Sequence, residues 1–322
     1  MNSTTSHTLH RRHLPQLDGG VFLTDAGLET ELIFHDGLDL PAFAAFTLLA
    51  DERGTARLRR YYEGFAELAR ERGTGLVLET PTWRASPRWA REVGYDDAAL
   101  DQANRDAVSL LESVRAGHPG GAPIVISGNV GPQDDAYSPS TQMDADRAHE
   151  YHAVQIGTFA STAADLVTAM TLTYVEEAIG VARAARDAGM PVVLSFTVET
   201  DGRLPSGQSL GEAIEQVDAA TDGSPAYYML NCAHPTHFDS VLQPGAAWVD
   251  RIGGLRANAS TCSHAELDEA EALDEGDPAD LAARYVALAR ALPRLTVLGG
   301  CCGTDIRHVA AIRDAWLGRV AA

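Results

Sequence analysis

The hydrophobic pattern divides the chain into eight short apolar runs separated by longer amphipathic segments. The runs are rich in β-branched residues, and Gly, Pro or polar residues bound them, which is typical of buried strands. Their ranges are residues 21–25, 76–80, 124–130, 166–171, 192–197, 226–232, 252–258 and 295–300. The pattern therefore predicts eight strands, of which the Gly-rich seventh is the least regular.

The segments between these runs repeat their apolar residues with the period of an α-helix. Leu58, Tyr61, Tyr62, Phe65 and Leu68, for example, fall on one helix face. Eight alternations of strand and helix predict an α/β fold, a single-domain (β/α)8 TIM barrel. A doubly wound open sheet is the alternative, but no G-x-G-x-x-G phosphate loop follows the first strand.

The chain of 322 residues shows no linker-like change of composition. We expect one barrel domain over residues 18–322 and a loose, flexible N-terminal tail over residues 1–17. No segment has the apolar length of a membrane span, and the first residues lack the apolar core of a signal peptide. The sequence therefore predicts a cytoplasmic protein. A homo-oligomer would have to use the barrel helices as its interface.

Charge narrows the classes of partner. The formal net charge is −20, and no basic patch offers itself to phosphates. Sustained binding to nucleic acid or to an anionic membrane is therefore not expected. Small molecules remain as the predicted partners.

Three of the four cysteines, Cys232, Cys301 and Cys302, follow predicted strands. The carboxyl ends of barrel strands share one face, so these thiols are expected to meet there. Thiolates are good zinc ligands, and three protein ligands with one open position are the usual pattern of a catalytic Zn²⁺ site. Adjacent strand residues point to opposite faces, so the backbone must bend; the glycines at positions 299, 300 and 303 can supply that bend.

Other ligand sets and plainer roles are also open. His234 and His237 form a local C-x-H-x-x-H with Cys232 and could offer nitrogen ligands, although a solvated helix start is the simpler interpretation. Cys262 is expected to be a small buried hydrophobe. His264 lies in an acidic segment that we interpret as a solvated insertion.

Two motifs, Leu-Asn-Cys at 230–232 and Gly-Gly-Cys-Cys-Gly at 299–303, resemble the zinc signatures of the homocysteine S-methyltransferase family. Weaker matches occur around Asp25, after the third strand at 128–132, after the fifth strand at 195–197 and at Asn258. The resemblance runs from about residue 21 to about residue 315. It implies a (β/α)8 barrel, one zinc ion per chain, and transfer of a methyl group to a thiol.

The resemblance also implies substrate contacts. It places Asp25, Gly27, Ser195, Thr197 and Asn231 in the substrate-binding region, with Asp25 holding the acceptor's amino group. The implied reaction moves a methyl group from S-methylmethionine, S-adenosylmethionine or betaine to homocysteine, giving methionine. The implied partners are a small-molecule thiol acceptor and a methyl donor.

Two positions depart from the family pattern. Met170 stands at the end of the fourth strand, where family members usually carry a glutamate that contacts the amino group of homocysteine. Arg84 stands after the second strand and could bind a carboxylate of a substrate, or form a surface ion pair with Glu79 or Glu92. The departures leave open a different thiol or selenol acceptor. Zinc-activated hydrolysis and a purely structural zinc site are the weaker alternatives.

Overall fold

The computed structural model describes residues 8–136, 141–268 and 272–321 of the chain. Within them, eight parallel strands close into one barrel, with each strand paired to its neighbours in sequence and β1 paired to β8. The strands are β1 Phe22–Leu23, β2 Gly75–Glu79, β3 Ile124–Val130, β4 Leu166–Leu172, β5 Val192–Phe196, β6 Tyr227–Asn231, β7 Ile252–Ala257 and β8 Val297–Gly300. The predicted (β/α)8 fold is confirmed.

Helices connect the strands on the outside of the barrel. They are α1 Leu28–Thr30, α2 Glu52–Arg72, α3 Pro87–Glu92, α4 Asp97–Gly117, α5 Ala145–Ala160, α6 Val175–Asp187, α7 Leu210–Thr221, α8 Pro235–Phe238, α9 His264–Asp268, α10 Pro278–Leu288 and α11 Ile306–Ala321. Several begin at a side-chain cap, as α2 does where Asp51 accepts from the Gly54 N–H at 2.8 Å. The helix face predicted from Leu58 to Leu68 is buried against the strands.

The barrel interior is layered, because alternate residues of each strand point inward. An apolar lower layer includes Phe22, Val77, Val125, Leu166 and Val297. Two residues further along the strands, the interior becomes polar, with Thr24, Glu79, Ser127, Thr168 and Ser195 all buried. The apolar layer closes the bottom of the barrel, and the polar layer forms the floor of the space at the carboxyl ends of the strands.

Residues 8–17 differ from the expected loose tail, because they pack on the lower end of the barrel. Leu14 is 6% exposed and joins the apolar layer. The Arg11 guanidinium donates to the carbonyl oxygens of Ala160, Thr162 and Ala164 at 2.6–3.0 Å. The backbone N–H of His10 donates to Asp165 at 2.8 Å. The expectation for residues 1–7 lies outside the described residues. No helix of the described chain is long and apolar enough to cross a membrane.

Candidate metal centre and substrate cavity

A cavity of about 390 Å³ opens at the carboxyl ends of the strands. Its lining includes the three cysteines predicted as metal ligands and also Asp25, Gly27, Arg84, Met170 and Asn231. The fold therefore brings together residues that lie up to 277 positions apart, since 302 minus 25 is 277. Position at a strand end predicted this convergence.

The three thiols form one group. Their Sγ atoms all lie within 4.8 Å of one another, with Cys232 to Cys301 at 2.6 Å and Cys232 to Cys302 at 3.7 Å. A tetrahedral zinc ion with Zn–S bonds of about 2.3 Å keeps its sulfur ligands about 3.8 Å apart. The Cys232–Cys302 distance fits that geometry, and the Cys232–Cys301 distance fits after a shift of about 1 Å. The donor set is therefore suitable for zinc.

Backbone conformation aims these thiols into the cavity. Cys232 has a left-handed φ of 54°, which is uncommon for a residue with a side chain. In the second loop, Gly303 has a φ of 77°, whereas Gly299 and Gly300 have no positive φ. The expected bend at Cys301–Cys302 thus comes from the end of β8 and from Gly303. The Cys301 N–H donates to the Ala257 carbonyl at 2.8 Å and fixes the loop to β7.

The neighbours of the thiols shift their pKa values in opposite directions. Hydrogen bonds from Cys232 and Cys302 lower the pKa of Cys301, and the nearby charge of Arg256 acts in the same sense. Hydrogen bonds with Cys232 and Cys301 raise the pKa of Cys302. The group therefore favours at least one thiolate, which is the form that binds metal.

Gly27 lies where the β1 loop meets the cysteine loop. A Cβ atom at Gly27 would stand 2.6 Å from the Cys301 carbonyl oxygen and 2.9 Å from Thr30 Oγ1. The Gly303 N–H donates to the same Thr30 Oγ1 at 3.2 Å. Gly27 thus lines the cavity and also permits the close packing of these two loops.

Asn231 connects three strands beneath the thiols. Its Oδ1 accepts from the Thr171 N–H at 2.9 Å and from Ser195 Oγ at 2.6 Å, and its Nδ2 donates to Thr171 Oγ1 at 2.8 Å. Nδ2 also lies 3.9 Å from Cys301 Sγ. Thr171 has a left-handed φ of 61°, and this network holds it there. Asn231 therefore fixes the ends of β4, β5 and β6 relative to the thiol group.

Ser195 and Thr197 are not among the described residues that line the cavity. Both are fully buried, and their hydroxyls bond to protein atoms. Ser195 donates to Asn231, and Thr197 donates to the Cys232 carbonyl at 3.4 Å. In place of the substrate contacts expected for them, the structure shows contacts that position Asn231 and Cys232.

Asp25 lies at the cavity floor and is paired with an arginine that sequence reasoning did not single out. Arg256 Nη1 lies 2.7 Å from Asp25 Oδ1, and both side chains are buried. Arg256 also donates to the carbonyl oxygens of Gly300 at 3.0 Å and Ala26 at 2.8 Å. Burial raises the pKa of Asp25, and Arg256 opposes that rise. The only sequence signal was an arginine on the inward face of the Gly-rich strand β7.

Glu79 adds a second carboxylate to the floor. It is 2% exposed and lines the cavity from the end of β2. Burial raises its pKa to about 7, although Arg256 and the hydroxyls of Ser127 and Thr168 act against the rise. Those two hydroxyls bond to each other at 2.7 Å. The compensation from these groups is therefore smaller than the cost of burying the charged form of Glu79.

Arg84 and Met170 both line the cavity. Arg84 is 5% exposed, so the surface ion pair considered for it is wrong. Its guanidinium lies between the rings of Trp83 and Trp89, at 4.1 and 3.6 Å from their centroids, and donates to the Asp134 carbonyl at 3.3 Å. Met170 is 4% exposed, so its apolar side chain is buried in the cavity wall, directly before Thr171.

The histidines near Cys232 have other partners. The His234 side chain accepts from the Thr236 N–H at the start of α8, and His237 Nε2 bonds to the Thr261 carbonyl at 2.9 Å. His234 is 2% exposed, so its expected solvation is wrong. His264, expected in a solvated insertion, is buried, lines the cavity and contacts the Cys232 carbonyl at 2.6 Å. The expectation failed because the many acidic residues that follow His264 in the sequence suggested an exposed segment.

Comparisons with known proteins show the family and support the fold. The family model for homocysteine S-methyltransferase matches residues 22–316. The oxidized form of the homocysteine methyltransferase MmuM from Escherichia coli is 18% identical, with a TM-score of 0.74 over 95% of this chain and 99% of that chain. Its metallated form, also 18% identical, gives a TM-score of 0.67 over 94% and 98%. At this identity the two structures support the fold.

A comparison with curated protein sequences finds no match. The family match is nevertheless extensive, because it covers all eight strands of the barrel and all three clustered cysteines. The chain therefore belongs to the homocysteine S-methyltransferase family and is a methyltransferase.

Proposed function

We propose that the protein is a zinc-dependent S-methyltransferase that moves a methyl group from an onium donor to homocysteine and gives methionine. The observation that carries the proposal is the group of three thiols at the cavity, in a chain of this family. Cys232, Cys301 and Cys302 would hold the metal. When bound, zinc would supply Lewis acidity that lowers the pKa of a ligand thiol.

The protein residues supply alignment and a suitable electrostatic environment. The acceptor sulfur attacks the donor's methyl carbon, a new carbon–sulfur bond forms, and the electron pair of the broken bond stays on the donor heteroatom. The acceptor's thiol proton leaves to solvent before the attack. Holding two reactants in line for such a displacement contributes about 7–11 kcal/mol. Asn231 and the loops around Gly27 and Gly303 would keep the thiol group rigid during this step.

Arg84 is the residue that we propose for the acceptor's carboxylate. Its position in the cavity wall and its fixed orientation between two indole rings support this role. A guanidinium can bind a carboxylate through two parallel hydrogen bonds. Replacing Arg84 with Lys would keep the charge and lose that geometry.

The donor would enter over an aromatic rim. Phe34 and Phe43 line the cavity and are 51% and 54% exposed. The half-buried carboxylate of Glu29 lies on the same wall. Aromatic faces and a carboxylate attract a sulfonium or quaternary ammonium group. A cavity of about 390 Å³ that also holds the acceptor favours S-methylmethionine or betaine over the larger S-adenosylmethionine.

A second candidate acceptor is a thiol or selenol without an amino group. Met170 offers no charge, and Arg256 already neutralises Asp25. We propose a cytoplasmic location on the ground that a set of reduced thiols needs a reducing compartment.

Mass spectrometry of reaction products tests the proposal. Zinc-loaded protein is incubated with each of the three donors and with homocysteine, and methionine is the expected product. Metal-free protein and protein with Cys232 replaced by Ala are the controls. Absence of any methylated thiol with every donor would overturn the proposed function, whereas methylation of another thiol alone would favour the second candidate.

A further inference from the structure

Glu79 is a buried carboxylate without an adequate internal partner. Its two carboxylate oxygens have no hydrogen-bond partner of acceptable geometry among the described residues. The hydroxyls of Ser127 and Thr168 act on Glu79 but also bond to each other at 2.7 Å, which leaves at most one of their two protons for the carboxylate. Buried polar groups are almost always satisfied, and a buried charge without a partner is costly. Such a group at a cavity floor indicates a ligand that donates hydrogen bonds and carries positive charge.

The charge balance of the floor leads to the same conclusion. Asp25 and Glu79 are two carboxylates, and Arg256 is the cation that acts on both. The contacts of Arg256 are directed away from Glu79, since it pairs with Asp25 and donates to the Gly300 and Ala26 carbonyl oxygens. When both carboxylates are ionised, the single arginine leaves one negative charge between them. An ammonium group from a ligand would compensate the charge of the ionised Glu79 carboxylate.

The location of Glu79 suits an amino-acid acceptor. Glu79 and Met170 both line the cavity, and they belong to strands β2 and β4 on either side of β3. Glu79 follows Val77 by two residues and therefore points inward from the polar layer. Thus a carboxylate that is missing from the end of β4 is available from the end of β2.

We propose that Glu79 binds the amino group of the acceptor and is the residue that makes the enzyme prefer an amino-acid thiol. This inference rests on the proposed function and deepens it. It assigns a specificity-determining role to a carboxylate on a strand other than β4. It also gives the apolar Met170 a simple explanation, because the required charge comes from elsewhere in the same cavity.

The test compares two thiols that differ in the amino group alone, homocysteine and 4-mercaptobutanoate. In the wild-type enzyme, kcat/KM for homocysteine is expected to exceed that for 4-mercaptobutanoate by more than about tenfold, the usual effect of a charged hydrogen bond. Glu79→Gln should bring the ratio close to one by raising KM for homocysteine. Turnover of 4-mercaptobutanoate should be kept, which also shows that the variant is folded.

Controls separate this role from a structural one. Glu92→Gln makes the same change on an exposed side chain of α3 and should leave the ratio unchanged. Adding Met170→Glu to Glu79→Gln returns a carboxylate to the cavity and should restore part of the preference. If Glu79→Gln keeps the preference for homocysteine, or lowers kcat/KM for both thiols equally, the proposal is wrong.

The outcomes also distinguish this inference from the proposed function. A wild-type enzyme that methylates both thiols with equal kcat/KM refutes the role of Glu79 and leaves the methyltransferase function intact. This measurement needs no variant, so it remains decisive if Glu79→Gln does not fold. A wild-type enzyme that methylates neither thiol refutes the proposed function itself.

Discussion

At the scale of single residues, Glu79 at the cavity floor shows how a buried carboxylate lowers the stability of the ligand-free fold. The pKa of Glu79 is about 7, compared with an ordinary value of 4.5, and burial is the main cause. The native state therefore holds this proton more tightly than the unfolded state does. Stability contributed at this site is present at low pH and is lost as pH rises from about 4.5 to about 7.

This argument predicts that Glu79→Gln stabilises the ligand-free protein above pH 7. The raised pKa corresponds to about 3 kcal/mol at about 1.36 kcal/mol per unit, and the neutral amide avoids most of that cost. Urea unfolding at pH 5 and pH 8 measures the effect, with Glu92→Gln as the control. Equal stability changes at the two pH values would show that the Glu79 charge is not the cause.

The thiols act as a set, so removal of any one should abolish metal binding and activity together. Cys232→Ala, Cys301→Ala and Cys302→Ala each leave two sulfur ligands, which are too few for a stable zinc site. Cys262→Ala is the matched control, because Cys262 is a free cysteine outside the group. Metal content by mass spectrometry and methionine formation should fall in parallel; full activity in a metal-free variant contradicts the mechanism.

At the scale of elements, hydrophobic periodicity predicted every strand to within two residues at both ends. The largest differences, of two residues each, are at the end of β1 and at the start of β8. β1 is assigned as Phe22–Leu23, although the Thr24 N–H still donates to the Leu298 carbonyl at 2.8 Å and the Asp25 carbonyl accepts from the Gly300 N–H at 3.1 Å. Strand-end position also predicted the meeting of the three thiols. Periodicity could not show which polar residues face each other across the barrel, so Arg256 and His264 were missed.

The packing of the β1 loop on the cysteine loop gives a prediction at this scale. Gly27→Ala would place a methyl group 2.6 Å from the Cys301 carbonyl, so the cysteine loop must move. We expect at least tenfold weaker zinc affinity with the secondary structure unchanged. Gly20→Ala is the control, because its Cβ would meet only Phe22 at 3.9 Å. Competition with a chelator measures the affinity, and identical values for both variants would exclude this coupling.

At the scale of the whole molecule, residues 8–17 close the end of the barrel opposite the cavity. Leu14 extends the apolar layer, and Arg11 caps carbonyl oxygens at the end of α5 and in the following turn. The apolar pattern of this segment is too short to predict such packing, which is why the sequence suggested a loose tail. The segment belongs to the folded domain.

Leu14→Ala should therefore lower the free energy of unfolding by about 2–4 kcal/mol, as for other large-to-small changes in a core. Leu17→Ala removes the same atoms from a side chain that is 54% exposed. It should change the free energy of unfolding by less than about 0.5 kcal/mol. Thermal unfolding of the two variants provides the comparison. Similar melting temperatures would indicate that the segment adds little to stability.

The closed ring of strands has a consequence for the history of such enzymes. Because seven of the eight strands, all except β5, place described residues at or just after their ends in the lining of the same cavity, no strand is the sole source of a given charge. A carboxylate lost from one strand can be regained on another by a single substitution that leaves the three cysteines in place. Acceptor preference and metal chemistry can therefore evolve separately in this barrel, and alignment at one position is a poor guide to what a descendant methylates.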